Sequence, residues 1–160
     1  MPEENRLVFR RAEAGQAEDI FRLVQKCISA VYPLYYRDEI VNFFCALHSL
    51  EHIAQDIQAG NVYVLEHGGA LLGTGSFCQE HITRVYVASE KRGKGYGRVI
   101  MERLEQEIRK SSPTAEVDAS LPASRFYERC GYQTVKHEQY PVGNGIILVY
   151  EIMKKDLQSG

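Results

Sequence analysis

The sequence predicts an α/β domain with a mixed β-sheet. Segments with a hydrophobic period of two, typical of β-strands, are interspersed with segments whose apolar residues recur every third or fourth position, typical of amphipathic helices. The chain has 160 residues, of which 44% are apolar and 25% are charged. That length and composition suffice for one domain with a buried core. We therefore expect residues 1–160 to form a single domain.

Seven strands and five helices are predicted along the chain. The strands are residues 7–10, 62–65, 71–78, 81–87, 115–119, 132–137 and 146–153. The helices are residues 16–31, a helix capped by Asp38, one between Ser49 and Gly60, one from Gly97 until shortly before Pro113, and one ending at Gly131. A turn-forming segment, residues 141–145, is expected between the last two strands.

Residues 81–110 combine a strand, a glycine-rich turn and a helix, and the rest of the chain is organised around them. In the strand, strict alternation puts Ile82, Arg84 and Tyr86 on one face. The opposite face then carries His81, Thr83, Val85 and Val87. In the helix, one apolar stripe consists of Ile100, Met101, Leu104 and Ile108.

The turn between them, residues 92–97, has the sequence RGKGYG. Its three alternating glycines permit positive φ and let a ligand approach the main chain. Together with the N-terminal amides of the following helix, such a turn favours a phosphate group. A Walker loop would need Ser or Thr after Lys94, and the dinucleotide fingerprint would need a different glycine spacing. Neither of these two types of phosphate loop therefore fits.

The pattern R-x-x-G-x-G after a V-x-V strand resembles the acyl-CoA pyrophosphate loop of the GNAT superfamily of N-acyltransferases. A second segment, residues 120–132 (SLPASRFYERCGY), is similar to the later motif of that family, N-x-x-A-x-x-F-Y-E-x-x-G-F. Ser120 stands where Asn is common, and Tyr132 stands where Phe is usual. Two motifs in the order that the family has them are more specific than either one alone.

The resemblance implies a GNAT-like fold and acyl transfer. The expected fold is a mixed, mostly antiparallel central sheet of six to seven strands, flanked by helices on both faces and splayed between the fourth and fifth strands. The implied activity is transfer of an acetyl or other acyl group from acetyl-CoA directly to a primary amine of a small molecule, an amino acid or a peptide. No metal is implied.

The resemblance also assigns residues to the donor. The implied contacts with pantetheine, the pyrophosphate and the sulfur come from Val85, Tyr86, Val87, Arg92, Gly93, Lys94, Gly95, Tyr96, Gly97, Ser120, Ser124 and Tyr127. Tyr127 is the catalytic candidate, because a neutral phenol with a pKa of about 10 can protonate the leaving thiolate. Alternatively, Tyr127 packs in the core with its hydroxyl at the surface.

A base is needed because an alkylamine with a pKa of about 10.4 arrives protonated. His81 lies where some family members have a glutamate base, and its ordinary pKa of about 6.5 suits this role. The alternatives are a structural role for His81 and deprotonation through water. For the acceptor pocket, which the first helices usually line in this family, the candidates are Tyr32, Tyr35, Tyr36, His48 and Glu51. The tyrosines are equally compatible with packing in the core.

Composition limits the other function classes. A formal net charge of −2 argues against a nonspecific nucleic-acid-binding protein. The chain contains no run of eighteen apolar residues and its N-terminus has no apolar export segment, so we expect a cytoplasmic protein that does not associate with membranes. The four cysteines have no spacing typical of zinc or redox motifs. Domains of this type often form homodimers, and no sequence feature decides this point.

Two hypotheses of different classes remain. The first is an acetyl-CoA-dependent N-acetyltransferase. The second is a non-catalytic acyl-CoA-binding protein that regulates a partner through the same pocket. The complete motif around Tyr127 favours the enzyme, because a protein that only binds acyl-CoA has no need of a proton donor.

Overall fold

The computed structural model describes residues 6–158, which form a seven-stranded sheet with five α-helices. The strands are β1 Leu7–Arg11, β2 Val62–His67, β3 Ala70–Cys78, β4 His81–Val87, β5 Thr114–Ala119, β6 Gln133–Gly143 and β7 Ile146–Asp156. The helices are α1 Ala17–Val31, α2 Asp38–Leu47, α3 Leu50–Gln58, α4 Tyr96–Arg109 and α5 Ser124–Arg129. Every element predicted from the sequence is present.

The strand order is β1-β2-β3-β4-β5-β7-β6, and all neighbouring pairs are antiparallel except β4 and β5. The parallel pair is short. Only His81 with Glu116 and Ile82 with Val117 are in register, and beyond them the two strands diverge. The predicted mixed sheet, with its splay between the fourth and fifth strands, is therefore confirmed. The splay leaves the second half of β4 without a strand partner on the β5 side.

Helices cover both faces of the sheet, as predicted. On one face, α4 and α5 pack on a core that includes Ile100 and Leu104; on the other, α1, α2 and α3 enclose Ile20, Phe44 and Ile53. The helix α4 lies unusually close to β3. A Cβ atom on Gly75 would come within 2.6 Å of Ile100 and 2.8 Å of Leu104, so glycine is required there.

A β-bulge in β4 changes the predicted distribution of side chains. Ser76 of β3 pairs with Arg84, but the next residue of β3, Phe77, pairs with Ile82, so that Thr83 is the extra residue. Ile82 consequently packs in the same core as Val85, on the α4 face. The prediction that Ile82 shares a face with Arg84 and Tyr86 is wrong, because strict alternation does not continue through a bulge. The bulge leaves Arg84 and Tyr86 on the face covered by α1–α3.

Two details of the element ends also differ from the prediction. Asp38 is the first residue of α2 and Arg37 is its N-cap, whereas Ser49 caps α3 as expected by accepting a 3.1 Å hydrogen bond from the His52 amide. Pro141 lies within β6 rather than in a turn. This is tolerated because β6 is an edge strand, where a missing N–H costs no ladder hydrogen bond.

Within residues 6–158, none of the helices combines the length and the hydrophobicity that a bilayer crossing requires.

Candidate functional site

The gap between β4 and β5 opens into a cavity of about 810 Å³, which we call the donor cavity. It extends from the splayed half of β4, past α5, to the glycine-rich turn and the start of α4. Its lining consists of Cys27, Val31, Tyr32, Val85, Tyr86, Val87, Lys91, Arg92, Gly93, Gly95, Tyr96, Gly97, Arg98, Pro122, Ala123, Phe126, Tyr127, Arg129 and Cys130. Two of the sequence-predicted groups, the β4 residues and most of the turn, therefore lie along the same cavity.

The glycine-rich turn presents main-chain groups at one end of the donor cavity. Gly93 and Gly95 have φ values of 78° and 84°, which side chains rarely allow, and Gly95 is the N-cap of α4. The first amides of α4 follow directly and have no intrahelical acceptors. Gly97 has a different role. A Cβ atom on Gly97 would lie 2.9 Å from the Phe126 ring. Because glycine has no Cβ atom, α4 and α5 can approach each other closely here.

The charge of the donor cavity is one-sided. Its lining includes four cationic side chains, Lys91, Arg92, Arg98 and Arg129, and no carboxylate among the described residues. In a chain whose formal net charge is −2, this local excess favours a polyanion. Together with the amides at the N-terminus of α4 it forms a site that suits phosphate groups.

The remainder of the donor cavity is largely apolar and lies against β4. Val85 and Val87 pack on the core below it, and Phe126 forms part of the opposite wall. The thiol of Cys27 donates a hydrogen bond of 3.1 Å to the Val87 carbonyl. The cavity thus has a cationic end with free amides and an apolar end with a strand edge, and these features suit the pyrophosphate and the pantetheine arm of coenzyme A.

A second cavity of about 570 Å³, the acceptor cavity, lies against the first half of β4. Its walls carry Phe43, Phe44, His48, His52, Asp56, His81, Thr83, Arg84, Asp118, Ser120, Tyr140, Leu148 and Tyr150, among others. Five residues line both cavities, namely Tyr32, Val85, Tyr86, Ala123 and Tyr127. The two cavities therefore meet at these residues.

Tyr127 occupies this junction. Its side chain is 8% exposed, and its ring packs edge-on against Phe126 and Tyr132 at centroid distances of 5.3 and 6.1 Å. Burial raises the pKa of its hydroxyl well above the ordinary value, so the group is protonated at neutral pH. Among residues 6–158 the hydroxyl has no hydrogen-bond partner. A protonated, unpaired phenol at the junction is available to a ligand.

Three other hydroxyl groups near the junction form a chain. Tyr32 Oη lies 3.2 Å from Tyr86 Oη and 3.3 Å from Ser120 Oγ. Tyr32 also packs edge-on against Phe44 at 4.8 Å. The ring of Tyr32 is therefore buried while its hydroxyl lies between the cavities, and a role in acceptor binding stays a prediction. Burial raises the pKa of Tyr86 strongly.

His81 lies at the edge of the acceptor cavity beside two carboxylates of β5. Its Nε2 atom is 3.5 Å from Oδ2 of Asp118, and its side chain is 34% exposed. The interaction with Asp118, and to a smaller extent the charges of Glu116 and Glu80, raise the pKa of His81 against the opposing effect of burial. His81 is therefore partly accessible and binds a proton more firmly than an ordinary imidazole, as a base that accepts a proton from an amine would.

The same side chains are the set within residues 6–158 that comes closest to a metal site. Ligand atoms of His81, Glu116 and Asp118 all lie within 4.8 Å of one another. The expectation that the site needs no metal stays a prediction.

His48 lies on the other side of the acceptor cavity, and it is 5% exposed. Its Nδ1 atom accepts a 3.1 Å hydrogen bond from Nε of Arg84. Arg84 in turn donates to Oδ2 of Asp56 at 3.0 Å and to Oγ of Ser76 at 3.2 Å. Burial and the positive charge of Arg84 lower the pKa of His48 to about 3. His48 is thus a neutral polar group in the wall.

Five of the sequence-predicted site residues do not line either cavity. Tyr35 and Glu51 are exposed, and Lys94 and Ser124 lie beside the donor cavity without lining it. The Tyr36 hydroxyl accepts a 2.7 Å hydrogen bond from the Leu121 amide, so it supports the loop before α5. The geometry gives these five residues no support as direct contacts.

Arg84, Asp56 and Asp118 line the acceptor cavity but were not predicted from the sequence. Arg84 offered one signal, because an arginine on an otherwise apolar face of a central strand needs a buried partner. Asp118 lies on the alternating strand β5, but its proximity to His81 depends on the register between β4 and β5. Asp56 is a polar residue of a surface helix and carries no such signal.

Comparison with known proteins places this geometry in a family. The family described as "Acetyltransferase (GNAT) domain" matches residues 32–157. A sequence comparison with curated proteins finds no significant match. Many solved structures share the fold.

Three of these structures illustrate the similarity. A GCN5-related N-acetyltransferase from Rhodopseudomonas palustris has a TM-score of 0.85 and 20% identity, with 98% of each chain covered. The PaiA N-acetyltransferase from Thermoplasma acidophilum, solved with coenzyme A, has a TM-score of 0.74 and 15% identity over 94% of this chain and 99% of its own. YncA from Salmonella typhimurium, solved with acetyl-CoA, has a TM-score of 0.65 and 18% identity over 98% and 96%.

At 15–20% identity, these structures show that the chain shares their fold. The family model matches most of the chain, and this match shows the family. The splayed strands, the glycine-rich turn and the order of elements agree with it. The chain belongs to the GNAT acetyltransferase family.

Proposed function

We propose that this protein is an acetyl-CoA-dependent N-acetyltransferase that acetylates a primary amine. The observation that carries the proposal is the meeting of two cavities at Tyr127. One cavity is cationic and suits the donor, and the other is aromatic and polar and suits an amine. A protein that only stores or senses acyl-CoA needs the first cavity but not the second.

The donor cavity supports acetyl-CoA as the donor. The turn amides and the cations Arg92 and Arg98 would hold the pyrophosphate, and the free edge of β4 at Val85 and Val87 would pair with pantetheine. When bound, acetyl-CoA supplies an activated acetyl thioester. Its sulfur would lie at the apolar end of the cavity, near the Tyr127 hydroxyl.

Tyr127 is proposed as the general acid. Its hydroxyl keeps its proton because burial raises its pKa, and a thiolate that leaves beside it needs a proton or a hydrogen bond. A buried donor aimed at developing negative charge is among the larger contributions to catalysis. The unpaired state of this hydroxyl within residues 6–158 supports the assignment.

His81 is proposed as the general base. It lines the acceptor cavity, and Asp118 at 3.5 Å would stabilise its protonated form once it has taken a proton from the amine. Because a protonated amine cannot attack a thioester, this step precedes acyl transfer. A water molecule held between His81 and the amine would serve equally well if the two are not in direct contact.

Release of free CoA thiol from acetyl-CoA, measured against a panel of amines, amino acids, polyamines, aminoglycosides and peptides, tests the proposal. We expect turnover with at least one member and a mass increase of one acetyl group on that acceptor. Thermal stabilisation by acetyl-CoA without thiol release for any acceptor would support the alternative, a regulatory acyl-CoA-binding protein. If acetyl-CoA neither stabilises the protein nor releases thiol with any acceptor, both hypotheses are contradicted.

A further inference from the structure

The ring of His48 is held in one orientation at the C-terminal end of α2. Nε2 of Gln25, from α1, donates hydrogen bonds of 2.9 Å to the Cys45 carbonyl and 3.0 Å to the His48 carbonyl. These acceptors are among the carbonyl groups that a helix leaves unpaired at its C-terminus. The backbone that carries His48 is therefore anchored to the neighbouring helix.

The hydrogen bond from Arg84 determines where the ring proton lies. A guanidinium group has donors and no acceptor, so Nδ1 of His48 must present its lone pair to Nε of Arg84 at 3.1 Å. In a neutral imidazole the proton then resides on Nε2. Asp56 and Ser76 fix Arg84 from the other side, and Arg84 is consequently a positioning residue for this tautomer.

The Nε2–H group faces the acceptor cavity without a partner. No hydrogen bond to this atom is formed within residues 6–158. Among the described side chains, the one polar atom that is both sealed from solvent and unpaired is Ser89 Oγ. The unpaired Nε2 atom of His48 is therefore not sealed, and the open space that His48 lines is the acceptor cavity. A protonated His48 ring would lie beside the positive charge of Arg84, which is unfavourable. The ring therefore stays neutral, and its Nε2–H group is an uncharged donor.

We propose that His48 determines acceptor specificity by donating a hydrogen bond from Nε2–H to a carbonyl or carboxylate oxygen of the acceptor. The inference rests on the proposed N-acetyltransferase function and names its substrate class: amines that carry such an oxygen, as α-amino amides, amino acids and peptide N-termini do. A simple alkylamine leaves this donor unpaired in a desolvated wall, and sites built to bind a polar atom reject analogues that lack it.

A matched pair of acceptors tests the inference. L-Phenylalaninamide and 2-phenylethylamine carry the same ring and one amine each, and they differ in the carbonyl group. The ring suits a cavity lined by Phe43, Phe44 and Tyr140. We expect the ratio of kcat/KM for the amide to that for the amine to fall about tenfold or more in His48→Phe, which removes the donor and keeps the ring volume. The amines differ in basicity, but this cancels when the ratio is compared between proteins.

Two further variants serve as controls. His48→Gln, whose carbonyl can accept from Arg84 while its amide donates into the cavity, should restore part of the ratio. His52→Phe alters a second histidine of the same cavity, whose Nδ1 is already paired with the Leu47 carbonyl at 3.0 Å, and should retain the wild-type ratio. An unchanged ratio in His48→Phe, or an equal fall in His52→Phe, overturns the inference.

A measurement that needs no turnover separates this inference from the proposed function. Nitrogen-15 spectra of the histidine rings at about pH 5 should show His48 as the neutral Nε2–H tautomer. Adding L-phenylalaninamide with CoA should shift the His48 Nε2 resonance, whereas 2-phenylethylamine should not. If no amine supports thiol release, the enzyme proposal fails while this readout still decides the role of His48. A Nδ1–H tautomer, or no shift with the amide, contradicts that role.

Discussion

The hydroxyl of Tyr132 donates a 2.7 Å hydrogen bond to Oε2 of Glu105 inside the core beneath α4. The other carboxylate oxygen of Glu105 accepts from Nζ of Lys155 at 2.9 Å. Tyr132 directly follows the turn after α5, so this contact connects the helix that carries Tyr127 to α4. GNAT sequences usually have phenylalanine here. In this chain the tyrosine hydroxyl is paired with a buried acid, a contact that phenylalanine could not make.

Tyr132→Phe should lower the free energy of unfolding by about 1–3 kcal/mol, because one oxygen of a buried carboxylate loses its donor. Urea unfolding followed by circular dichroism measures the loss. The matched control is Tyr35→Phe, since Tyr35 is 54% exposed and a change there should stay within about 0.5 kcal/mol. Equal effects of the two substitutions would show that the Glu105 contact contributes nothing.

Gly95→Ala should weaken coenzyme A binding by about tenfold or more, because a Cβ atom and a strained φ would disturb the amides at the N-terminus of α4. Gly60 is the matched control. Both glycines have positive φ, 84° and 79°, and neither has an atom within 4 Å of an added Cβ. Both alanine variants should lose similar stability, about 1 kcal/mol. Isothermal calorimetry should find weakened binding in Gly95→Ala alone, and weakening in both would make the effect one of general stability.

Tyr127→Phe should lower kcat by about 100-fold or more while the dissociation constant of acetyl-CoA stays the same, because the change removes the proton donor and retains the packed ring. Pre-steady-state thiol release and equilibrium binding measure the two quantities separately. Full turnover with unchanged binding would contradict the role of Tyr127 as general acid.

The pH profile of kcat/KM tests His81 and Asp118 together. Because Asp118 raises the pKa of His81, the neutral, basic form of the ring becomes available only at higher pH, and the rate should rise with pH through that raised pKa. Asp118→Asn removes the negative charge, lowers the pKa of His81, and should move the acidic limb of the profile to lower pH.

Glu80→Gln is the control for this shift, because Glu80 contributes the smallest of the carboxylate effects on His81. Its acidic limb should move less than that of Asp118→Asn. In His81→Ala the limb should disappear, and the remaining activity should recover as the pH approaches the pKa of the amine. A profile that is identical in wild type and His81→Ala would exclude the base.

Much of the fold followed from local patterns. The change of period at residues 81–110 predicted β4, the turn and α4, and the structure begins α4 at Tyr96, one residue from the predicted start. The positive φ values of Gly93 and Gly95 confirm the prediction made for the turn. Such features depend on neighbours in sequence, since hydrophobic period and glycine content act within a few residues.

Features that depend on pairing between strands were not predictable in the same way. Nothing in the residue types of β4 marks Thr83 as the extra residue of a bulge, yet the bulge decides that Ile82 and Arg84 lie on opposite faces. Similarly, Asp118 lies beside His81 only because β4 and β5 are parallel and in register at that point.

The sequence by itself determined the family, the order of the elements, the glycine-rich turn and the identity of the phenol at the junction, because each is encoded in residues that are close along the chain. The tertiary structure decided which polar groups surround the acceptor cavity. His48 is the C-cap of α2, Asp56 lies in α3 and Arg84 lies in β4. Only the packing of helices on the sheet brings them within hydrogen-bonding distance. A buried charge requires partners, but the sequence does not state which distant residues supply them.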